Sequence, residues 1–366
     1  MINVAAPIIE NEEIDAVDAV LKSGMLAQGP KVAELEAAFA KYCGTKFAIA
    51  VNSGTAAIHA ALFAAGVGPG DEVITTPFSF IATINPILFL GAKPVLVDID
   101  PTTFNIDIQQ IEKAITPKTK VIMPEHLYGQ PCDYSELQAL ADKHGLLIVE
   151  DACQAIGASY GDKKAGNLGD LACFSLYATK NIMSGEGGVV TTNDERYVTA
   201  MKSFRQHGMV APYEYAGIGY NYRLTDLLAA IAVEQLRKVD TFNASRQSNA
   251  QALNQGLKGV KGLQVPTIKA GRTHVFHQYT VRITPDFRLS REELMAGLKD
   301  KGVGSGIYYP KPLHSYPHIA ALGYKQGDFP NAEQAANQVL SLPVHPKVSG
   351  ADVQTIVAAI KELAHA

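Results

Sequence analysis

Between residues 70 and 192, short apolar runs alternate with helix-like stretches, and this rhythm limits the folds open to the chain more than any other feature. The runs are Glu72–Thr75, Val95–Asp98, Val121–Met123, Leu146–Glu150, Ala172–Ser175 and Gly188–Thr191. They are too short for helices and rich in Val, Ile and Leu, which reads as buried strand. Segments such as Tyr134–His144, with Leu137, Leu140 and Ala141 at helical spacing, lie between them. Strand-helix alternation predicts an α/β fold with a mostly parallel central sheet flanked by helices. Ligands of such sheets bind at the carboxyl ends of the strands, so reactive side chains are expected just after the runs.

Beyond this region, Leu227, Leu228, Ile231 and Leu236 mark a long helix from Leu224 to Arg237 that continues towards Arg246. We read it as a connection to a second unit. A strand at Tyr279–Ile283 and helices at Arg291–Lys299 and Ala351–Leu363 suit a smaller α+β domain. The expected division is a large domain over 1–244, including the N-terminal segment, and a small domain over 245–366.

Several function classes are disfavoured. Net charge is −4 and no basic run stands out, so there is no electrostatic footprint for nucleic acid. The most apolar stretch, Ile81–Val97, is broken by Asn85, Pro86, Gly91, Lys93 and Pro94, and no run approaches the roughly 20 residues of a membrane helix. The first residues lack the basic region of a signal peptide. Cys43, Cys132, Cys153 and Cys173 form no C-x-x-C pair and no zinc spacing, which suits reduced thiols in a cytoplasmic protein without a metal.

Four segments carry candidate chemistry. In Asn52-Ser53-Gly54-Thr55-Ala56, a hydroxyl-rich turn opens an Ala-rich helix, a place where free N–H groups favour a phosphate. The same residues would also serve as a plain helix cap. In Val149-Glu150-Asp151-Ala152-Cys153-Gln154, an acid ends a buried strand and could pair with a protonated pyridine nitrogen, or with backbone donors alone. In Phe174-Ser175-Leu176-Tyr177-Ala178-Thr179-Lys180, a lysine follows a strand and precedes Gly187-Gly188, as a Schiff-base lysine would. In Gly219-Tyr220-Asn221-Tyr222-Arg223-Leu224-Thr225-Asp226, a polar-aromatic loop opens the long helix; Thr225 or Asp226 could cap it.

Taken in this order, the segments resemble the DegT/DnrJ family of sugar aminotransferases, which use pyridoxal 5'-phosphate (PLP) and belong to the aspartate aminotransferase superfamily of fold type I. The resemblance runs from about residue 3 to the C-terminus and includes Gly68-Pro69-Gly70-Asp71-Glu72-Val73 and His126-Leu127-Tyr128-Gly129-Gln130-Pro131. It implies that Lys180 is the Schiff-base lysine and proton shuttle, that Asp151 pairs with the pyridine nitrogen, and that Gln154 lies beside the ring hydroxyl. Gly54, Thr55 and Ser175 would hold the phosphate, with Asn221 reaching it from a partner subunit, and Phe80 would cover the ring. His207, Arg223, Tyr308, Tyr309 and His314 match positions near the substrate opening.

The implied reaction takes an amino group from a donor, L-glutamate in the family, and delivers it to a nucleotide-diphosphate-linked keto-sugar, in a homodimer with shared sites. A keto-cyclitol acceptor is the alternative, because both substrates are polyhydroxylated rings. Lys180 argues against the sugar-dehydrating variant, which carries histidine there. A non-catalytic nucleotide-binding or sensor protein is the alternative of another class, and Gly66-x-Gly68-x-Gly70 lacks the spacing it would need. The chain departs from the family pattern at Glu125, where many relatives have a small or apolar residue, and at Cys132.

Overall fold

The computed structural model describes residues 1–365. Its central sheet has seven strands, in the spatial order Phe47–Val51, Gly188–Thr192, Leu171–Ser175, Leu147–Asp151, Thr119–Ile122, Glu72–Thr75 and Lys93–Leu96. All neighbours pair in parallel except Gly188–Thr192, which runs antiparallel to both of its partners. The expected fold is therefore present, with one strand more than the sequence reading located. Phe47–Val51 escaped because two of its five residues are alanines. They face one side of the sheet while Ile49 and Val51 face the other, as strand geometry requires. The strand expected at Val95–Asp98 begins instead at Lys93. It is an edge strand, where Pro94 costs no ladder bond.

Apolar helices cover both faces. Helix Gly54–Ala64 is buried from Ala56 to Leu62 and lies on the Ile49 and Val51 face. Helix Pro30–Cys43 covers the opposite face with Val32, Leu35 and Phe39, and Phe39 meets Phe174 edge-on at 5.0 Å between ring centres. Each such buried side chain contributes about 1.5–3 kcal/mol.

The long helix spans Asp226–Leu257. Thr225 caps it, accepting the Leu228 N–H. Asp226 caps a different helix: its carboxylate accepts the N–H groups of Gly29, Lys31 and Val32 at 2.8, 3.1 and 3.0 Å. The first half of the long helix (Ala229, Val233, Leu236, Val239) packs in the sheet core. Its second half (Ala250, Leu253, Leu257) packs in another core with Tyr279, Val281, Leu294 and Ile356. That second core surrounds a three-stranded antiparallel sheet of Leu263–Gln264, Tyr279–Ile283 and Val339–Leu342. The position 244/245 falls inside the helix. Ile2, assigned by sequence to the large unit, bonds to the second core: its N–H donates to the Gly302 carbonyl, and its carbonyl accepts from Gly304, both at 2.8 Å. Among the described residues, no helix is long and apolar enough to cross a membrane.

Candidate active site

The antiparallel strand decides where the site lies. Because Gly188–Thr192 runs backwards, its first residue stands beside the last residues of its neighbours: Gly188 is in register with Val51 and with Ser175. The turn after Val51, the end of the Ser175 strand and the glycines before Val189 thus meet at one point on the carboxyl edge. The approach is close. A Cβ on Gly54 would lie 2.8 Å from that of Ser175 and 3.3 Å from Cys153 Sγ, and one on Gly188 would collide with the Ser53 carbonyl. Ser53 caps the helix by accepting the Ala56 N–H at 3.1 Å, which leaves the first N–H groups of the helix and the Thr55 and Ser175 hydroxyls at the turn.

Lys180 lies on the connection between the Ser175 strand and Gly188. This loop is pinned to itself: Leu176 N–H donates to Gly187 O at 2.9 Å, Ala178 N–H to Gly185 O at 3.0 Å and Ser184 N–H to Leu176 O at 2.8 Å. It is also pinned outward, since Asn181 donates to Asn243 Oδ1 and to the Val275 carbonyl. Lys180 itself is half-buried. Its charge is felt by three neighbours. Burial pushes the Cys153 thiol and the Glu125 carboxyl well up, and Lys180 opposes both shifts. Burial holds His277 well below the usual imidazole range, and Lys180 adds to that shift.

Asp151, only 3% exposed, ends the central strand of this edge. Its Oδ2 accepts from Thr83 Oγ1 at 2.8 Å and its Oδ1 from the Cys153 N–H at 3.3 Å. Gln154 is fully engaged: its oxygen accepts the Tyr128 N–H at 2.9 Å, and its nitrogen donates to Glu125 Oε1 at 2.8 Å and to Tyr309 Oη at 3.3 Å. Tyr128 donates its hydroxyl to the Tyr308 carbonyl, which fastens to this edge the Tyr308-Tyr309 pair, packed against a cluster that includes Phe78 and Phe104. The Phe80 ring is exposed and stands 6.2 Å from that of Tyr309.

Among the remaining residues singled out by sequence, Asn221 adjoins the turn that begins at Asn52, and the others have contacts of their own or stand nearer the surface. His314 is 2% exposed, with Nε2 3.0 Å from Glu333 Oε1 and its ring against Phe329, so it is occupied within the protein. His207 is exposed and left-handed, with its N–H bonded to the Tyr220 carbonyl. Asn221 is also exposed, and its carbonyl accepts from Asn52 Nδ2 at 3.3 Å. Arg223 is half-buried. Sequence reasoning missed Thr83 as a partner of Asp151, although Ser79 and Thr83, four residues apart after a strand, were visible. It also missed the bond between Glu125 and Gln154, which no spacing announces.

The DegT/DnrJ/EryC1/StrS aminotransferase family profile matches residues 7–361. The chain belongs to this family. It is 45% identical over 357 residues to a pleiotropic regulatory protein of Geobacillus stearothermophilus, covering 97% of this chain and 95% of that one. It is 40% identical to the GDP-perosamine synthase of Caulobacter vibrioides, covering 99% and 98%. Among solved structures, the S. venezuelae DesV complex with a ketimine intermediate superposes with a TM-score of 0.93 at 38% identity, over 97% and 95% of the two chains. The PLP form of a putative sugar aminotransferase from Streptococcus pneumoniae gives 0.93 at 29%, over 99% and 98%. The DegT/DnrJ aminotransferases thus share the whole architecture of this chain, including both cores.

The residues present fit PLP. A buried carboxylate, a half-buried lysine on a rigid loop and a glycine-walled turn at a helix start supply the partners that its ring nitrogen, aldehyde and phosphate require.

Proposed function

We propose that the chain binds PLP on Lys180 and transfers an amino group from an amino-acid donor, L-glutamate, to a nucleotide-diphosphate-linked keto-sugar. The observation that carries this reading is the meeting of Lys180, Asp151 and the Gly54–Ser175 contact on one carboxyl edge. Bound PLP would supply an electron sink for charge developing at the donor's α-carbon. Asp151 would hold a proton on the ring nitrogen, steadied by Thr83. The Lys180 amine, once displaced, would carry a proton from the α-carbon. Gly54, Thr55 and Ser175 would seat the phosphate, and Phe80 with Tyr309 would flank the ring. Relatives named as a GDP-perosamine synthase and a UDP-2-acetamido-2-deoxy-3-oxo-D-glucuronate aminotransferase support a nucleotide-sugar acceptor.

The working unit in this reading is a cytoplasmic homodimer, built from a large domain to about residue 244 and a small one beyond it. Val210, Tyr213, Tyr215 and Ile218 are exposed on and beside one hairpin, next to the exposed rings of Phe63 and Tyr220, an apolar surface of the kind that partners cover. That surface flanks His207, Asn221 and Arg223, which would then complete the partner's site; Tyr308 and His314 would shape the small-domain side. The test is direct. The purified protein should be yellow, and borohydride reduction with peptide mapping should place a pyridoxyl group on Lys180. A label on Lys163, Lys164 or Lys202 would end this assignment. The pyridoxamine form mixed with a panel of keto-sugars and keto-cyclitols identifies the acceptor.

A further inference from the structure

Glu125 touches the site through Gln154, and its surroundings are unusual for a carboxyl group. It is 2% exposed. It pairs in a parallel bridge with Asp151, so two acids stand side by side on adjoining segments of the backbone. Its Oε1 accepts from Gln154 at 2.8 Å, whereas its buried Oε2 has no partner within hydrogen-bond geometry among the described residues; the nearby Ser79 hydroxyl is directed to the Phe80 carbonyl and Thr83. The charged and titratable groups facing it are Asp151, Lys180, Tyr128, Tyr309 and Cys132, whose Sγ lies 3.0 Å from the Glu125 carbonyl.

A Gln154 side chain has two N–H groups. One goes to Glu125 and the other to Tyr309. A small apolar residue at position 125 would leave the first of them free. We propose that Glu125 is a positioning residue that ties one N–H of Gln154 away from the ring oxygen of bound PLP, limiting the hydrogen bonding this oxygen receives. The inference rests on the PLP reading above.

Glu125 does this as a neutral acid. An ionised carboxylate with one bond, buried beside Asp151, would be left uncompensated, and protonation is the cheaper outcome. Burial first, and the Asp151 charge second, push its titration well above the usual carboxylate range, although the Ser79 hydroxyl and then Lys180 pull the other way. The folded protein therefore binds a proton at this site that the unfolded chain has released, so stability falls as pH rises from about 4.5.

Three measurements on wild type, Glu125→Gln and Glu125→Val test this. In the holoenzymes, the visible band of the bound cofactor is titrated. Glu125→Val should lower the midpoint by at least about 0.4 pH unit, because a freed N–H stabilises the ring oxygen as an anion. Glu125→Gln should stay within about 0.2 unit, since its amide oxygen accepts the same N–H. A Glu125→Val midpoint equal to wild type, with the yellow band intact, overturns this inference and leaves the proposed function standing. In protein stripped of cofactor, infrared spectra at neutral pH should show a protonated carboxyl band in wild type that Glu125→Gln lacks. Its absence from wild type would mean an ionised Glu125 and refute the neutral acid. Glu125→Gln should also raise Tm at pH 8 by about 2 °C or more, with the gap closing below about pH 4.5; an unchanged gap across that range counts against it. A chain that takes up no PLP overturns both readings.

Discussion

The carboxyl edge around Asp151 and the segment from His207 to Arg223 make opposite use of their side chains. At the edge, polar groups are already committed within one chain: Asp151 to Thr83 and Cys153, and Gln154 to three partners. Over 207–223 the backbone is held mostly by backbone-to-backbone hydrogen bonds, with Asn52 Nδ2 on the Asn221 carbonyl, while Tyr213 is 85% and Ile218 is 82% exposed. The edge is thus held in place from within the chain. Most of the segment's side chains reach solvent instead, with Tyr222, whose hydroxyl meets His59 Nδ1 at 3.0 Å, an exception.

The strongest way to break the comparison is at the edge. Lys180→Ala should reduce kcat by more than about 10³-fold while moving Tm little, since a half-buried side chain on an independently pinned loop is lost. Turnover surviving this change would remove Lys180 from the chemistry. Asp151→Asn should cost about 10²-fold or more in kcat with a smaller loss of PLP affinity, because an amide cannot keep the ring nitrogen protonated. Near-normal turnover would require another partner for that nitrogen.

Gly54→Ala should weaken PLP retention about tenfold and destabilise the fold by about 1–3 kcal/mol, as the new methyl meets Ser175 at 2.8 Å. Retention of both properties would show that the turn does not hold the phosphate. The mildest effect belongs to the exposed segment. Asn221→Ala with Arg223→Ala should leave the subunit's Tm within about 1 °C, as for exposed and half-buried polar changes away from the core. Mixed with Lys180→Ala and allowed to exchange subunits, this variant should recover about half of one wild-type site pair in each mixed dimer. No recovery after proven exchange would mean that each subunit serves itself.

The edge was legible in sequence because strand ends and glycines obey local rules. Six of the strands, the helix start at Gly54 and the positions of Asp151 and Lys180 could all be read from short apolar runs and the residues just beyond them. The features that stayed hidden depend on contacts between distant residues. Phe47–Val51 is recognisable only once Gly188–Thr192 is seen to pair with it. Asp226 looked like a cap for its own helix and serves one almost 200 positions earlier, a bond that no local pattern contains. His314 resembled a site residue by its neighbours in sequence, yet Glu333 engages its ring. Glu125 stood out by its type, but the meaning of that type came from Gln154 and Asp151 in three dimensions.

The backward strand has a consequence for birth as well as for chemistry. Val51 pairs only through a strand that begins at Gly188, so the Gly54 turn has no sheet to join until that strand has been made. At cellular rates of synthesis the first part of the chain waits on the order of 10 s for it. During this interval the apolar helix Gly54–Ala64, buried almost all round in the finished protein, is without its cover. The emerging N-terminal quarter is therefore a natural client for chaperones. Nascent chains arrested before residue 180 should show it: their Gly54–Ala64 amides should exchange freely with solvent, and protection should appear only once the Gly188 strand has cleared the ribosome.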